Sequence, residues 1–456
     1  MSASADAPRP LGDRLVEAGV VLVLLGLLVA ARRLFPILGA GAGTIASVGV
    51  LLMGGTVLAN LLELVGLPHL TGYLLAGVAA GPYVLGLVDH QSVADLTPVN
   101  QLALSLIALA GGAELKLATL KSGLRSLAWA TLWQNVLVMV VLAAVFVSAR
   151  PLLPFLAGFP TMGVVGVGLL WGVIAVTRSP SATLGILSQT RAKGPLANFT
   201  LNFVMTSDVV VVVLLALAMT IARPLINPGT SFSLSAFREL GVEVLGSISV
   251  GTTLGLVLAA YLRLLGGKGL VILLIALGLV FTQLFDYLRF DWLLIFMAAG
   301  FVVQNLSKQG ERFGSAIESM GEVVYVVFFG LAGAHLNLPL LAGLWPVALL
   351  FAVARGVTSV VAARVASRFA EDPPALRKWG WAGMVSQAGL ALGIAGTVQS
   401  EFPAFGAGLG ALAVATVAMN EMVGPVLFKA ALDRCGETAS QDDEAEPTGA
   451  AEAFEP

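Results

Sequence analysis

Apolar and polar positions along this chain come in long blocks rather than in a residue-by-residue rhythm. Fourteen apolar segments can be marked, near 15–31, 42–65, 69–88, 97–118, 125–148, 162–190, 196–222, 237–265, 268–287, 289–306, 313–337, 340–368, 377–400 and 405–433. A helix needs about 20 apolar residues to cross a hydrocarbon core of about 30 Å, and most of these segments have that length. The pattern predicts an all-α polytopic membrane protein with 13–14 transmembrane helices. The polar connections are too short to hold a separate soluble domain.

The ends read differently from the middle. Residues 1–14 are polar and expected to be disordered, and 15–35 reads as an extra N-terminal helix. Its apolar run, Ala18 to Ala31, resembles the core of a signal peptide, but the arginines of "LLVAARRLF" follow it without a small-x-small cleavage pattern. A retained helix is expected. Residues 42–436 form the membrane domain, and 437–456 an acidic, disordered tail.

Composition supports the membrane assignment and narrows the chemistry. The chain is 57% hydrophobic and 11% charged, against roughly 25% charged in an average soluble domain. A net charge of −2 gives no reason to expect nucleic acid as a partner. The single cysteine, Cys435, excludes an intramolecular disulfide and a thiolate metal cluster. No His/Cys/carboxylate cluster has metal-catalytic spacing and no phosphate-binding loop is present, so neither an enzyme nor a cofactor is expected.

Positive charges set the orientation. Alternate loops carry Lys116, Lys121 and Arg125; Arg191 and Lys193; Arg263 and Lys268; Lys308 and Arg312; Arg364, Arg368, Arg377 and Lys378; then Lys429 and Arg434. The opposite loops hold chiefly Arg150, Arg223, Arg238 and Arg289. The C-terminus is therefore expected in the cytoplasm. With fourteen spans Arg32 and Arg33 would face outward, so either the first helix is not a full span or the downstream bias overrides it.

Two segments carry interruptions. Residues 162–190 contain Arg178-Ser179-Pro180-Ser181, where proline removes a backbone donor and disfavours helix at the residue before it. Residues 377–400 contain Ser386-Gln387-Ala388-Gly389 at a comparable depth. Paired breaks in two halves of a transporter-like chain point to a midplane site; Ser/Pro and Gly kinks that serve packing alone are the alternative.

Five charged residues are not explained by loops. Asp208, in "FVMTSDVVVVVLL", lies some fourteen residues into its segment, about 21 Å at 1.5 Å per residue. A carboxylate at that depth faces a cavity, a partner or an ion path, or else is locked permanently to a buried arginine. Asn198, Asn202 and Thr206 form a polar stripe on the same helix, with Asp208 about 200° round from Thr206. Arg355, mid-segment in "LLFAVARGVTSVVAARV", needs an acceptor: Asp208 is the obvious long-range candidate, and carbonyl ends of the broken helices are the other. Arg178 either snorkels or substitutes for bound metal at the first break. Glu114 and Glu421 are read as shallower, structural hydrogen-bond partners.

At this point the sequence resembles the monovalent cation:proton antiporter superfamily, the sodium/proton exchangers and their relatives. "LPHLTGYLLAGVAAGPYVLGLV" looks like the family's entry pair of helices. "TLGILSQTRAKGPLANFTLNFVMTSDVVVVV" looks like its broken helix, Lys-Gly-Pro turn and ion-binding aspartate helix. "VVYVVFFGLAGAHLNL", "ARGVTS", "VSQAGLALG" and "MNEMVGPVLFKAALDRCGE" follow in the family order. The resemblance covers residues 42 to 436 and implies inverted repeats with two crossing discontinuous helices, a moving core bundle and a dimerisation scaffold.

It implies, further, that Asp208 is the essential aspartate that binds a monovalent cation or a proton; Ser207, Thr206, Ser179, broken-helix carbonyls and water are further oxygen sources, since hard cations prefer oxygen. Arg355 and Arg178 would compensate charge, and Pro180, Ser386, Gln387 and Gly389 would form the breaks. Sodium or potassium and protons are the implied substrates, lipid the surroundings, a homodimer the assembly and the plasma (inner) membrane the location. The chain departs from the family in having Ser207-Asp208 where relatives often have Asp-Asp or Asn-Asp, and Arg178-Ser179-Pro180 where many have Thr-Asp-Pro. One ionisable carboxylate favours electroneutral, one-for-one exchange by alternating access. Gated potassium efflux and a non-transporting membrane sensor or scaffold are the competing expectations.

Overall fold

The computed structural model describes residues 40–438, except 66, 118–120, 122, 228–234, 266–268, 289, 291, 308–309, 337 and 388, together with residues 19, 23 and 26. The expected disordered N-terminus, the tail beyond residue 438 and the extra helix apart from those three isolated positions lie outside the described residues; Glu437, expected in the disordered tail, is instead ordered and buried because two backbone amides bind its carboxylate. Everything regular among the described residues is helical.

The first group of helices is α1 (Ala40–Glu63), α2 (His69–Ala80), the short α3 (His90–Asp95) and α4 (Thr97–Glu114). Next come α5 (Leu124–Ser148), α6 (Thr161–Val176), α7 (Pro180–Thr190) and α8 (Pro195–Ile226). The middle holds α9 (Ser235–Leu265), α10 (Leu270–Leu288), α11 (Trp292–Leu306) and α12 (Gly310–Ala334). The chain ends with α13 (Leu338–Ala370), α14 (Pro374–Trp379), α15 (Gly389–Glu401) and α16 (Pro403–Cys435). Predicted segments two to fourteen each coincide with a helix or a broken pair. The short α3, the separate short α14 and the 3-10 turns are not predicted by the apolar pattern. Among the described residues seven helices are long and apolar enough to cross a membrane, and shorter apolar helices lie between them.

Local chemistry explains the boundaries that matter. Ser179 caps α7 by accepting from the Ala182 amide at 3.1 Å, and Pro180 follows at the first helical position, where its missing N–H costs nothing. Pro195 opens α8 in the same way. The cap of α8 comes from far along the chain: the Glu437 carboxylate accepts from the amides of Leu196 and Ala197, both at 2.8 Å. Gly436 supplies the turn into that contact, ending α16 with φ of +67°, a value glycine adopts without strain.

The helices pack in two groups. In one, α5 lies against α6 and α13, α6 against α8, and α16 against α13 and α15. Their shared core holds Phe146, Trp171, Phe351 and Phe405, with the Trp171 and Phe351 rings 4.8 Å apart. In the other, α4, α9, α10, α11 and α12 surround Leu109, Leu258, Ile295 and Phe313. A third cluster, including Tyr73, Met205, Phe329 and Phe428, joins the groups. The first group shows one succession twice, a long helix, a broken helix and a long helix: α5, α6/α7, α8, then α13, α14–α15, α16.

Backbones meet directly where glycines allow it. A Cβ on Gly112 of α4 would strike the Met297 carbonyl of α11, and one on Gly300 of α11 would strike the Leu109 carbonyl of α4. Such small-residue contacts give membrane helices the dispersion and close packing that burial from water cannot supply there. Outward-facing Val242, Leu245 and Val257 on α9, and Val353, Val357 and Val361 on α13, suit a lipid surround.

Gly112→Leu forces this crossing apart and is expected to cost about 1–3 kcal/mol, read as a lower unfolding temperature in detergent. Glu437→Ala removes the distant cap and is expected to cost about 1 kcal/mol. Amide exchange should accelerate at Leu196 and Ala197 while the middle of α8 stays protected.

Candidate functional site

Breaking a helix inside a membrane frees carbonyl and amide groups that water cannot satisfy. Here both breaks occur side by side, and one side chain serves both. Arg355, 2% exposed on α13, donates from Nε to the Ala175 carbonyl at 2.7 Å and from Nη2 to Thr177 at 2.7 Å. Its Nη1 and Nη2 also donate to the carbonyls of Val385 at 2.5 Å and Met384 at 3.0 Å. The first pair closes the C-terminal end of α6, and the second closes the 3-10 turn Ala382–Met384. Of the two acceptors open to Arg355 in the sequence, the carbonyl ends are therefore the ones it takes. The expected Asp208 partner is replaced because four orphan carbonyls, each carrying partial negative charge, lie within reach.

Gln387 ties the breaks together a second time. Its Nε2 donates to the Ile174 carbonyl at 2.9 Å and to Thr177 Oγ1 at 3.0 Å, while its Oε1 accepts from Asn420 Nδ2 at 2.7 Å. Ser386 is buried against Gly424 of α16, where a Cβ would collide with the serine hydroxyl. Gly389 begins α15 after this crossing.

Arg178 is also 2% exposed, so it does not snorkel. It donates to the Val176 carbonyl and to Ser207 Oγ, both at 2.6 Å, and to Asn135 Oδ1 at 3.3 Å. Its guanidinium carbon lies 4.6 Å from the centre of the Phe203 ring. It is also the arginine that interacts electrostatically with Asp208.

The predicted oxygen ligands divide among these tasks. Asp208, half-buried on α8, lines a cavity of about 70 Å³ with Pro180 and Ser181 at the start of α7. The rest of that wall is apolar, including Ile107, Met205 and Leu390. Ser207 is fully buried and held by Arg178. Thr206 bonds back to its own helix, donating to the Asn202 carbonyl at 2.7 Å. Ser179 sits one residue before the cavity wall, its hydroxyl 3.0 Å from that of Ser181.

A second, larger cavity of about 610 Å³ contains Asn198 and Asn202, with Glu114, Lys116, Arg191 and Lys193 among its lining. Ile107 lines both cavities. Two members of the predicted polar stripe on α8 thus follow a wide crevice from a cation-bearing end of the bundle toward Asp208. Glu114 belongs to this crevice and is exposed.

Glu421 departs from its sequence reading. It is not a shallow group but is 5% exposed in the middle of α16, eighteen residues after Pro403 and fourteen before Cys435. The Ser179 hydroxyl and the Gln387 backbone amide face its carboxylate. The polar pair Asn420-Glu421 inside a 33-residue apolar helix was the available signal. Ser181, Thr177 and Asn135 carried none, since their roles depend on the crossing.

Comparisons with known proteins follow the same lines. The sequence profile described as "Sodium/hydrogen exchanger, transmembrane" matches residues 48–432. Among solved structures, the sodium proton antiporter MjNhaP1 from Methanocaldococcus jannaschii at pH 8 is similar, with a TM-score of 0.61 and 16% identity. That match covers 86% of this chain and 98% of that one. A structure of the same antiporter from electron microscopy gives 0.67 and 16%, covering 87% and 98%. These likenesses show the fold. No curated protein matches the sequence.

Arg355→Ala leaves four buried carbonyls without a donor and is expected to destabilise the protein by about 3–5 kcal/mol. Thermal unfolding of the purified protein checks this, with Arg355→Lys expected to recover only part of the loss because an ammonium lacks the fork.

Proposed function

This chain belongs to the sodium/hydrogen exchanger family, and from that membership we propose that it exchanges a monovalent cation, Na+ or K+, for protons across a membrane by alternating access. One observation carries the reading. Asp208 is an ionisable group at the depth of two broken helices, lining a small cavity next to the wide crevice along Asn198 and Asn202.

The physical logic is competition for one carboxylate. Desolvation favours the neutral, protonated form, while Arg178 or an entering cation favours the charged one. The group therefore holds a proton or helps strip water from a cation, but not both. Hard cations take oxygen ligands. Asp208, Ser181 and backbone carbonyls near the breaks are the nearest sources, and the Ser207, Thr206 and Ser179 hydroxyls retain lone pairs. An empty, charged site is costly to move through a low-dielectric barrier, so only loaded sites cross and the two flows couple. Counting Asp208 alone, the exchange is one for one and electroneutral.

In this reading residues 42–436 are one transport domain, with the α5–α8 and α13–α16 group moving against a scaffold built from the remaining helices. The scaffold forms a homodimer, the protein sits in the plasma (inner) membrane, and its C-terminus lies in the cytoplasm with the cation-rich loops. No nucleotide is required. A non-transporting sensor draws support from Arg178, which supplies built-in positive charge beside Asp208.

Flux separates the two. Proteoliposomes carrying the wild-type protein should dissipate a pH gradient when Na+ or K+ is added, and Asp208→Asn should abolish this while the protein remains folded in the membrane. Exchange by Asp208→Asn at the wild-type rate contradicts the site. A wild-type protein inert to every alkali cation supports the sensor.

A further inference from the structure

A carboxylate far from water must be neutralised, because an isolated buried charge costs many kcal/mol. Glu421 is such a group. It is 5% exposed, and neither of its oxygens completes a hydrogen bond of good geometry with the protein. No Lys, Arg or His among the described residues forms an ion pair with it. The groups that face it are the Ser179 hydroxyl from the first break and the Gln387 amide from the second. The charged residues nearest the crossing are engaged elsewhere, while Arg364 and Arg368 lie further along α13, toward its C-terminal end. Arg355 is bound to four carbonyls and Glu401 pairs with Arg223 at 3.1 Å. Arg178 is bound to Val176, Ser207 and Asn135 and interacts with Asp208. The missing neutraliser is a proton or a bound monovalent cation.

Glu421 is also connected to the Asp208 cavity. Ser181 lines that cavity, its hydroxyl lies 3.0 Å from Ser179 Oγ, and Ser179 faces Glu421. Ser179 accepts from the Ala182 amide with one lone pair, which leaves the other to accept from a protonated Glu421 and its own O–H to donate to Ser181. Along this line a proton leaving Glu421 joins Ser179 oxygen. The Ser179 proton passes to Ser181, and the Ser181 proton enters the cavity beside Asp208. One O–H bond forms for each that breaks, and no further reactant is needed. The cavity, about 70 Å³, has room for the water that such a path ends in.

We propose that Glu421 is a second coupling carboxylate, protonated together with Asp208 on one leg of the cycle and deprotonated on the leg that carries the monovalent cation, so that two protons exchange for one cation. This rests on the antiport reading and replaces its one-for-one count. It makes the cycle electrogenic and sensitive to membrane potential.

The test is a null-point measurement in proteoliposomes. A fixed Na+ or K+ gradient is imposed at zero membrane potential, and the opposing pH step that stops net exchange is found. With two protons per cation, Glu421→Gln should double the balancing step relative to wild type while exchange continues. An unchanged balancing step overturns the proposal. If the wild-type vesicles show no exchange at all, the antiport reading is what has failed. Infrared difference spectra of the purified protein across pH then decide the role of Glu421. A titrating carboxyl band present in wild type and absent from Glu421→Gln is expected, and identical spectra overturn the proposal. Should Glu421→Gln fail to fold, Ser179→Ala serves in its place, because it leaves the carboxyl but removes its hydroxyl neighbour. A shift of the titrating band supports the relay, and an unshifted band contradicts it.

Discussion

Everything at the centre of this protein depends on one guanidinium that holds the ends of two interrupted helices. Carbonyls at the C-terminal end of a half-helix carry partial negative charge, and within a bilayer they have no water to bond. Arg355 gives its donors to Ala175 and Thr177 on one side and to Met384 and Val385 on the other. Lysine has neither the reach nor the fork for four acceptors. Because the breaks are held together there, Gln387 can link Thr177 to Asn420, and Ser179 can cap α7 at the edge of the Asp208 cavity. Two arginines thus have separate surroundings: Arg355 maintains the crossing, and Arg178 interacts with Asp208.

That division answers the question raised by the missing second acid beside Asp208. Ser207 is the acceptor that fixes Arg178 at 2.6 Å. A positive charge is built into the first break, with Arg178 and Ser179 in the places where many exchangers have threonine and aspartate. A second carboxylate is nonetheless buried at the crossing, but it comes from α16 rather than from the aspartate helix.

Much of this was legible in the sequence because membrane helices write themselves in long apolar blocks. Thirteen of the fourteen predicted segments coincide with described helices, and both breaks fall where Pro180 and the Ser386–Gly389 run placed them. Asp208 stands out in the sequence by its depth, and it lies on a cavity wall. What could not be read was partnership. The carbonyls that hold Arg355 have no side-chain signature, and every residue has one, so a carboxylate was the natural expectation. Glu421 differs from its sequence expectation for another reason: its helix is 33 residues long, and no local pattern marks how far a residue lies from either end. The link from Glu437 to the start of α8 joins residues about 240 apart in sequence, a separation at which no local pattern operates.

The central claim is that a proton and a cation compete for Asp208. It is tested most directly by measuring the affinity of the purified protein for Na+ and for K+ across a range of pH. Competition predicts that affinity for the transported ion weakens steadily as pH falls, with protons released into solution when the ion binds. A cation affinity independent of pH, with no proton release, would contradict the account.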